Sequence, residues 1–222
     1  MQFLYHPDAG LPDITIEGEA YRYIFKVRRH REGERIALRN LRNDYLYFYR
    51  IDRVTRREAE LMFEEKEERT VMPDKKVHVG WCIVDPKTVE KTVPTLNELG
   101  VVKISFLYCE RSQKHFKIDL ERLKRILINS SQQCGRSRMM ELEILDSVET
   151  YFERYPESAV LDFGGESLPC DGGVGPILIG CEGGFSEMER KFFENRTIYG
   201  LHTPLILKSE SAVCTVAALT VV

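Results

Sequence analysis

No run of about 18 consecutive apolar residues occurs in the chain, which argues against a membrane-spanning helix. The start, Met1-Gln2-Phe3-Leu4-Tyr5-His6-Pro7-Asp8, lacks the charged-then-apolar order of a secretory leader. A soluble, cytoplasmic protein is therefore the expectation. The six cysteines (Cys82, Cys109, Cys134, Cys170, Cys181 and Cys214) contain no Cys-x-x-Cys pair, and none has a histidine at ligand spacing. Neither structural zinc nor a disulfide framework is expected, and no metal site is assigned. Repeats and low-complexity tracts are absent, which excludes a solenoid or a disordered chain. Two phosphate signatures are missing as well: no Gly-Lys-Ser/Thr follows a glycine loop, and the G-x-G-x-x-G spacing of dinucleotide folds does not occur.

What the chain does have is enough apolar content, 43% of 222 residues, to fill one large core or two small ones. Its net charge of −3 conceals two opposed regions. Ala20 to Arg57 holds 12 Lys and Arg against 4 Asp and Glu, and Arg111 to Arg138 holds 8 against 2. Between them, Glu58 to Glu68 carries 6 Glu and a single Lys. Two basic regions in a mildly acidic protein point to a localised polyanion site, with solvated surface charge as the plain alternative.

Residues 1–70 read as short strands, Ile36–Arg39, Tyr45–Ile51 and Ala59–Phe63, in a small barrel. One helical candidate, Glu19–Val27, runs into the basic loop Arg28-Arg29-His30-Arg31-Glu32-Gly33. A charged linker, Glu64–Lys76, follows. From residue 71 the order becomes strand, helix, strand, helix, the signature of a mainly parallel sheet covered by helices. Val77–Val84 is a buried-type strand, and Asp85 with Pro86 suits the N-cap and first position of a helix that Pro94 interrupts. Lys103–Tyr108 is a strand. Asp119 caps a helix that ends by Gly135 and has Leu120, Leu123 and Leu127 on one face. Ala159–Phe163 precedes a loop Gly164-Gly165-Glu166, and Pro176–Gly180 is an apolar strand leaving through glycines. Such strand exits are where α/β proteins form ligand sites.

Two stretches carry the chemistry. Ile177-Leu178-Ile179-Gly180-Cys181-Glu182-Gly183-Gly184-Phe185-Ser186-Glu187-Met188-Glu189 is a strand, a glycine turn that lets backbone approach a ligand, and a helix with the capping box Ser186/Glu189. Leu205-Ile206-Leu207-Lys208-Ser209-Glu210-Ser211-Ala212 leads, with Ser209 as N-cap, into an uncharged apolar helix running to Val222 that needs burial in its own fold or against a second subunit.

Together they resemble the 16S ribosomal RNA uracil-N3 methyltransferase family of the SPOUT superfamily, whose pattern reads Ile-Gly-Pro-Glu-Gly-Gly-Phe-Ser and then Leu-Gly-x-x-Ile-Leu-Arg-Thr-Glu-Thr-Ala. Gly180, Glu182, Gly183, Gly184, Phe185 and Ser186 match the first segment, and Ile206, Leu207, Glu210 and Ala212 the second. Tyr23–Gly33, Asn97-Glu98-Leu99-Gly100-Val101, Glu110-Arg111-Ser112 and Ser131–Arg136 are similar to further family segments. Cys181, Thr203, Lys208, Ser209 and Ser211 depart from it, and Lys208 gives up the bidentate fork of an arginine.

The resemblance implies an α/β fold: a C-terminal trefoil-knotted parallel-sheet methyltransferase domain over residues 71–222, and a small N-terminal PUA-like β-barrel over 1–70 that binds RNA. It implies S-adenosyl-L-methionine as cofactor, held by Leu161, Phe163, Ile179, Gly180, Glu182, Gly183, Gly184, Leu201, Leu205, Ile206, Leu207, Lys208 and Ser209. It further implies 16S ribosomal RNA or the small ribosomal subunit as partner, and a homodimer through the knotted domain. Methylation of uracil N3 needs loss of a proton and support for the resulting anion. Arg136 is the first cation considered and Lys208 the second; Glu182 or Glu210 is the base, although either carboxylate could instead accept loop amides. Arg28, Arg29, Arg31, Arg111, Lys114, Arg136 and Arg138 are the expected RNA contacts. Competing readings are a non-catalytic RNA-binding or ribosome-assembly protein, a knotted methyltransferase acting on another RNA, and a plain nucleotide-binding α/β protein.

Overall fold

The computed structural model describes residues 2–169 and 174–221, so Met1, Cys170 and Val222 lie outside the described residues. The chain divides into two compact units. The first contains the residues up to Met72 together with Ile128–Met139; the second contains Pro73–Leu127 and the residues from Met140 onward.

In the first unit β1 (Leu4–Tyr5) and β2 (Asp13–Glu17) precede a short helix α1 (Gly18–Tyr21), which continues as a π-helical turn, Arg22–Val27. Then come β3 (Arg35–Arg39), β4 (Tyr45–Val54) and β5 (Glu58–Glu68). They form a curled sheet in the order β1-β3-β4-β5-β2, with β1–β3 parallel and the remaining pairs antiparallel. Alternate residues of the strands turn inward, so Tyr49, Ile51, Ala59 and Leu61 are fully buried around Ile16, Ile24 and Leu38. The Tyr49 hydroxyl accepts from the Gly10 amide at 2.8 Å and donates to the Leu11 carbonyl at 2.7 Å, fixing the first turn to the sheet.

The acidic stretch is not a linker from Glu64. It continues β5 to Glu68 by pairing Glu65–Glu68 with Tyr45–Phe48. Over its first half β5 is covered by β2. The carboxylates it exposes engage neighbouring arginines: Glu64 lies 3.6 Å from Arg35 and 3.7 Å from Arg50, Glu65 pairs with Arg35, and Glu60 lies 4.0 Å from Arg53. Part of the basic excess is thereby neutralised on the sheet surface.

The second unit runs β6 (His78–Cys82), α2 (Pro86–Leu99), β7 (Lys103–Leu107), α3 (Leu120–Cys134, whose last turns belong to the first unit), β8 (Glu141–Leu145), α4 (Val148–Arg154), β9 (Ala159–Ser167), β10 (Ile177–Ile179), α5 (Glu187–Arg190), β11 (Ile198–Gly200) and α6 (Ser209–Val221). Its six strands are all parallel, ordered β11-β9-β10-β6-β7-β8. The central strands β10, β6 and β7 are almost entirely buried, as a parallel sheet covered on both faces requires. Asp119 caps α3 as expected, accepting from the Arg122 amide at 2.9 Å.

Three expectations change. Pro94 does not interrupt α2, which passes through it and forgoes only the hydrogen bond a proline cannot donate. Gly164-Gly165-Glu166 is not a loop but the second half of β9. A Cβ at Gly165 would lie 2.5 Å from the Tyr199 carbonyl carbon, so only glycine lets β11 approach there. Ser209 does not cap α6 but is its first residue, and its hydroxyl is used elsewhere.

Candidate functional site

The middle of β9, the C-terminal end of β10 and the segments after β10 and β11 enclose a cavity of about 270 Å³ in the second unit. Its walls are Leu161–Gly164, Ile179–Glu182, Gly184 and Phe185, Gly200 and Leu201, Thr203, Leu205–Leu207, Ser209 and Ala212. The lining is mostly apolar side chain and loop backbone, suited to a flat aromatic ring with a few polar edges.

One hydrogen-bond chain builds the pocket floor. The Trp81 indole N–H donates to Ser209 Oγ at 2.8 Å, and that hydroxyl donates to the Gly180 carbonyl at 2.6 Å. The start of α6, the end of β6 and the exit of β10 are thus tied at one atom. The glycine turn is closed by the Gly184 amide donating to the Cys181 carbonyl at 2.9 Å, with Gly184 at φ +66, a left-handed conformation that favours glycine. From outside, Arg111 Nη1 donates to the Gly183 carbonyl at 2.7 Å. Ser186 and Glu189 form the expected capping box, and the buried Glu189 carboxylate also accepts from the Glu110 amide at 2.8 Å. On the far wall Asp162 is clamped by Arg190 and accepts from the Phe163 amide at 2.9 Å.

Of the residues assigned to a cofactor, Leu161, Phe163, Ile179, Gly180, Glu182, Gly184, Leu201, Leu205, Ile206, Leu207 and Ser209 line this cavity; Gly183 and Lys208 flank it without lining it. Glu210 sits in the first turn of α6, half-buried and outside the lining. Phe185 and Ala212, matched to the family segments but not assigned to the cofactor, line it as well, and so does Gly200. Ala212 was legible in principle, one helical turn after Ser209. Gly200 ends a strand only three residues long, too short for a periodic signal.

Arg136 belongs to the first unit, where it is buried and its Nε donates to the Arg138 carbonyl at 3.0 Å; burial lowers its pKa. Arg138 is held by Asp44, with Nε 3.0 Å from Oδ2, and hydrogen bonds from Arg138 and Ser137 keep the Asp44 pKa low. Arg28, Arg29 and Arg31 are exposed on the loop after the π turn. Their acidic neighbours are occupied: Glu32 accepts from the Val54 amide at 2.7 Å, and Glu34 meets His30 at 2.7 Å. Arg28 stacks over the Tyr23 ring at 5.3 Å, so one arginine is presented beside an aromatic face. Lys114 is exposed in the second unit. Among the described residues no cluster of three His, Cys, Asp or Glu could hold a metal, and no helix is long and apolar enough to cross a membrane.

A family model described as an RNA methyltransferase domain matches residues 72–221, and one described as an RNA methyltransferase PUA domain matches 16–63. The chain belongs to the RNA methyltransferase family. This RNA methyltransferase is 43% identical, over 99% of both chains, to the ribosomal RNA small subunit methyltransferase E of Helicobacter pylori strain ATCC 700392 / 26695. It is 28% identical to the protein of the same name from Aquifex aeolicus over 93% of this chain and 92% of that one. The methyltransferase also shares its fold with a ribosomal RNA small subunit methyltransferase E from Neisseria gonorrhoeae bound to S-adenosyl methionine, with a TM-score of 0.79, 21% identity, and coverage of 98% of this chain and 95% of that one.

Proposed function

We propose that the protein methylates N3 of a uridine in small-subunit ribosomal RNA, using S-adenosyl-L-methionine bound in the cavity between β9 and the end of β10. The observation that carries this reading is the apolar, backbone-lined cavity built from the glycine turn Gly180–Gly184 and the segment before Ser209. The relatives' names support the substrate class. The trefoil crossing implied by the family resemblance, cytoplasmic action and pairing of two subunits belong to the same reading.

The cavity fits the cofactor by chemistry. Leu161, Ile179, Leu205 and Leu207 offer apolar surface for an adenine, and the exposed peptide groups of the loops offer its polar edges. When bound, the cofactor supplies an electrophilic methyl on a positively charged sulfur. The chain's part is to position the uracil in line with that methyl and to favour loss of the N3 proton. Glu182 is exposed at the pocket wall, and no amide among the described residues donates to its carboxylate, so we assign it the proton. Glu210, on α6, is the second carboxylate within this reading. Lys208, exposed between the lining residues Leu207 and Ser209, is assigned to the developing negative charge on the uracil oxygens, because Arg136 is buried and bonded to the Arg138 carbonyl. The loop carrying Arg28, Arg29 and Arg31 takes the phosphates, with Lys114 a further contact.

The test is incubation with labelled S-adenosyl-L-methionine and small subunits lacking the modification, in parallel with naked RNA, followed by nucleoside mass spectrometry. N3-methyluridine in ribosomal RNA is the expected product. Cofactor binding with no transfer to either substrate would overturn the substrate, and absence of cofactor binding would favour a non-catalytic RNA-binding protein.

A further inference from the structure

Three adjacent parallel strands of the second unit, β10, β6 and β7, each deliver a cysteine at or just beyond the C-terminal end. Cys82 is the last residue of β6, Cys109 lies two residues after β7, and Cys181 lies two residues after β10. All three are buried. The sulfurs of Cys109 and Cys181 are 3.3 Å apart, closer than two unbonded sulfurs ordinarily pack. Cys181 lines the cavity, and its carbonyl accepts the Gly184 amide that closes the glycine turn. Cys109 sits in a turn held by three further bonds: its amide donates to Ser112 Oγ at 3.3 Å, Ser112 Oγ donates to the Ile83 carbonyl at 3.0 Å, and the Glu110 amide donates to Glu189. A rigid thiol therefore faces a thiol on the pocket wall. Contact with Cys181 and then with Cys82 lowers the Cys109 pKa against the opposing effect of burial, and Cys109 is taken as the nucleophilic member.

We propose that Cys109 and Cys181 form an oxidation site, a dithiol that a peroxide converts to a disulfide which deforms the glycine turn and weakens cofactor binding. The proposal rests on the reading of the cavity as the cofactor site. In the first step the Cys109 thiolate attacks one peroxide oxygen and the O–O bond breaks, leaving a sulfenic acid on Cys109 and hydroxide, which takes up the proton lost from Cys109. In the second, the Cys181 sulfur attacks the Cys109 sulfur and the S–O bond breaks; the departing oxygen leaves as water with the Cys181 proton. Two thiols and one peroxide thus give one disulfide and two waters. Closing 3.3 Å to a bond of about 2.05 Å must draw Cys181 toward Cys109. Because Cys181 bonds Gly184 and adjoins Gly180, that movement pulls on the backbone that lines the pocket. By reciprocity, bound cofactor protects the pair from oxidation to the same degree that oxidation weakens cofactor binding.

The test treats the full-length protein with hydrogen peroxide, with and without saturating S-adenosyl-L-methionine, and maps cross-links by non-reducing peptide mass spectrometry. Titration calorimetry then follows the cofactor before oxidation, after it, and after dithiothreitol. A Cys109–Cys181 cross-link is expected. It should be slower to form with cofactor present and accompanied by an affinity loss of at least about tenfold, a coupling of ordinary allosteric size. Dithiothreitol should restore the affinity, and Cys109→Ser should bind cofactor as the reduced protein does and be insensitive to peroxide. Free Cys109 and Cys181 after exhaustive oxidation, a cross-link through Cys82 instead, or an equal affinity loss in Cys109→Ser would each overturn the proposal. The cross-link arm reads out whether or not cofactor binds, so a failure of the pocket reading shows separately, as absence of binding by the reduced protein.

Discussion

The Ser209 hydroxyl stands between a buried donor, the Trp81 indole, and an acceptor at the pocket wall, the Gly180 carbonyl. Ser209→Ala leaves the buried indole N–H without a partner, which costs about 1–3 kcal/mol. The variant is expected to lose about that much stability in urea denaturation with an unchanged m-value, and to bind S-adenosyl-L-methionine several-fold more weakly by calorimetry, because Gly180 is part of the pocket wall. Ser209→Thr, which keeps the hydroxyl, should recover most of both. Wild-type stability and affinity in Ser209→Ala would mean that the chain of bonds does not set the turn. That the segment before Ser209 and the glycine turn share a site was legible in the motifs. The bond joining them was not, since the donor lies 128 residues from Ser209 and nothing local marks Trp81 as other than a core residue.

At the opposite, N-terminal ends of β6, β7 and β8 the strands bring a polar cluster together. His78 Nε2 lies 2.8 Å from Ser105 Oγ, which donates to Glu143 at 2.5 Å; Tyr155 and Arg154 also bond Glu143, and Lys103 lies 3.4 Å from it. Burial, helped by the Lys103 charge, brings the His78 pKa down to about 4, while hydrogen bonds from Ser105 and Tyr155 and the charge of Lys103 outweigh burial and hold Glu143 at about 2. Both shifts act in one direction on stability. A histidine depressed in the fold contributes stability that is lost as pH falls from its ordinary value near 6.5 toward about 4, because the unfolded chain takes up the proton first. Glu143 contributes above its ordinary value and is lost as pH falls toward about 2. Stability should therefore fall between pH 6.5 and 4, and His78→Gln should flatten that limb by about 1–2 kcal/mol after allowance for partial solvent screening. Thermal melts across this range measure it, and an unchanged slope would show that His78 does not carry the titration. These strands also show what periodicity can reveal. The buried runs of β6, β7 and β10 were legible because burial on both faces makes them continuously apolar. The two-residue β1, the three-residue β11 and the bulged second half of β9 carry no period at all.

Across the whole molecule, charge and apolar exposure point to two surfaces that the fold itself does not require. The first is the Arg28, Arg29 and Arg31 loop, where nearby carboxylates are already committed. Replacing all three with Ala should reduce the slope of log affinity against log salt for a ribosomal RNA fragment by about 2–3, since each phosphate contact contributes about 0.9 for duplex and 0.7 for single strands. Cofactor affinity should stay as it is, and an unchanged salt slope would remove this loop from the RNA surface. The second surface rims the pocket. Phe163, Leu205 and Ile206 are 76%, 70% and 82% exposed, and solvent-exposed apolar groups gathered around one cavity favour burial against a partner. A second copy is the occupant that the proposed subunit pairing supplies, and a two-fold interface would place the same residues of both subunits in one contact. Light scattering should then give twice the 25.8 kDa chain mass at micromolar concentration. Leu205→Asp combined with Ile206→Asp should give the monomer, since two carboxylates cannot be desolvated there without partners. The double variant should also lose cofactor affinity, because both positions line the pocket. A monomeric wild-type protein would refute the pairing, and a double variant that stays dimeric would move the interface away from the pocket rim.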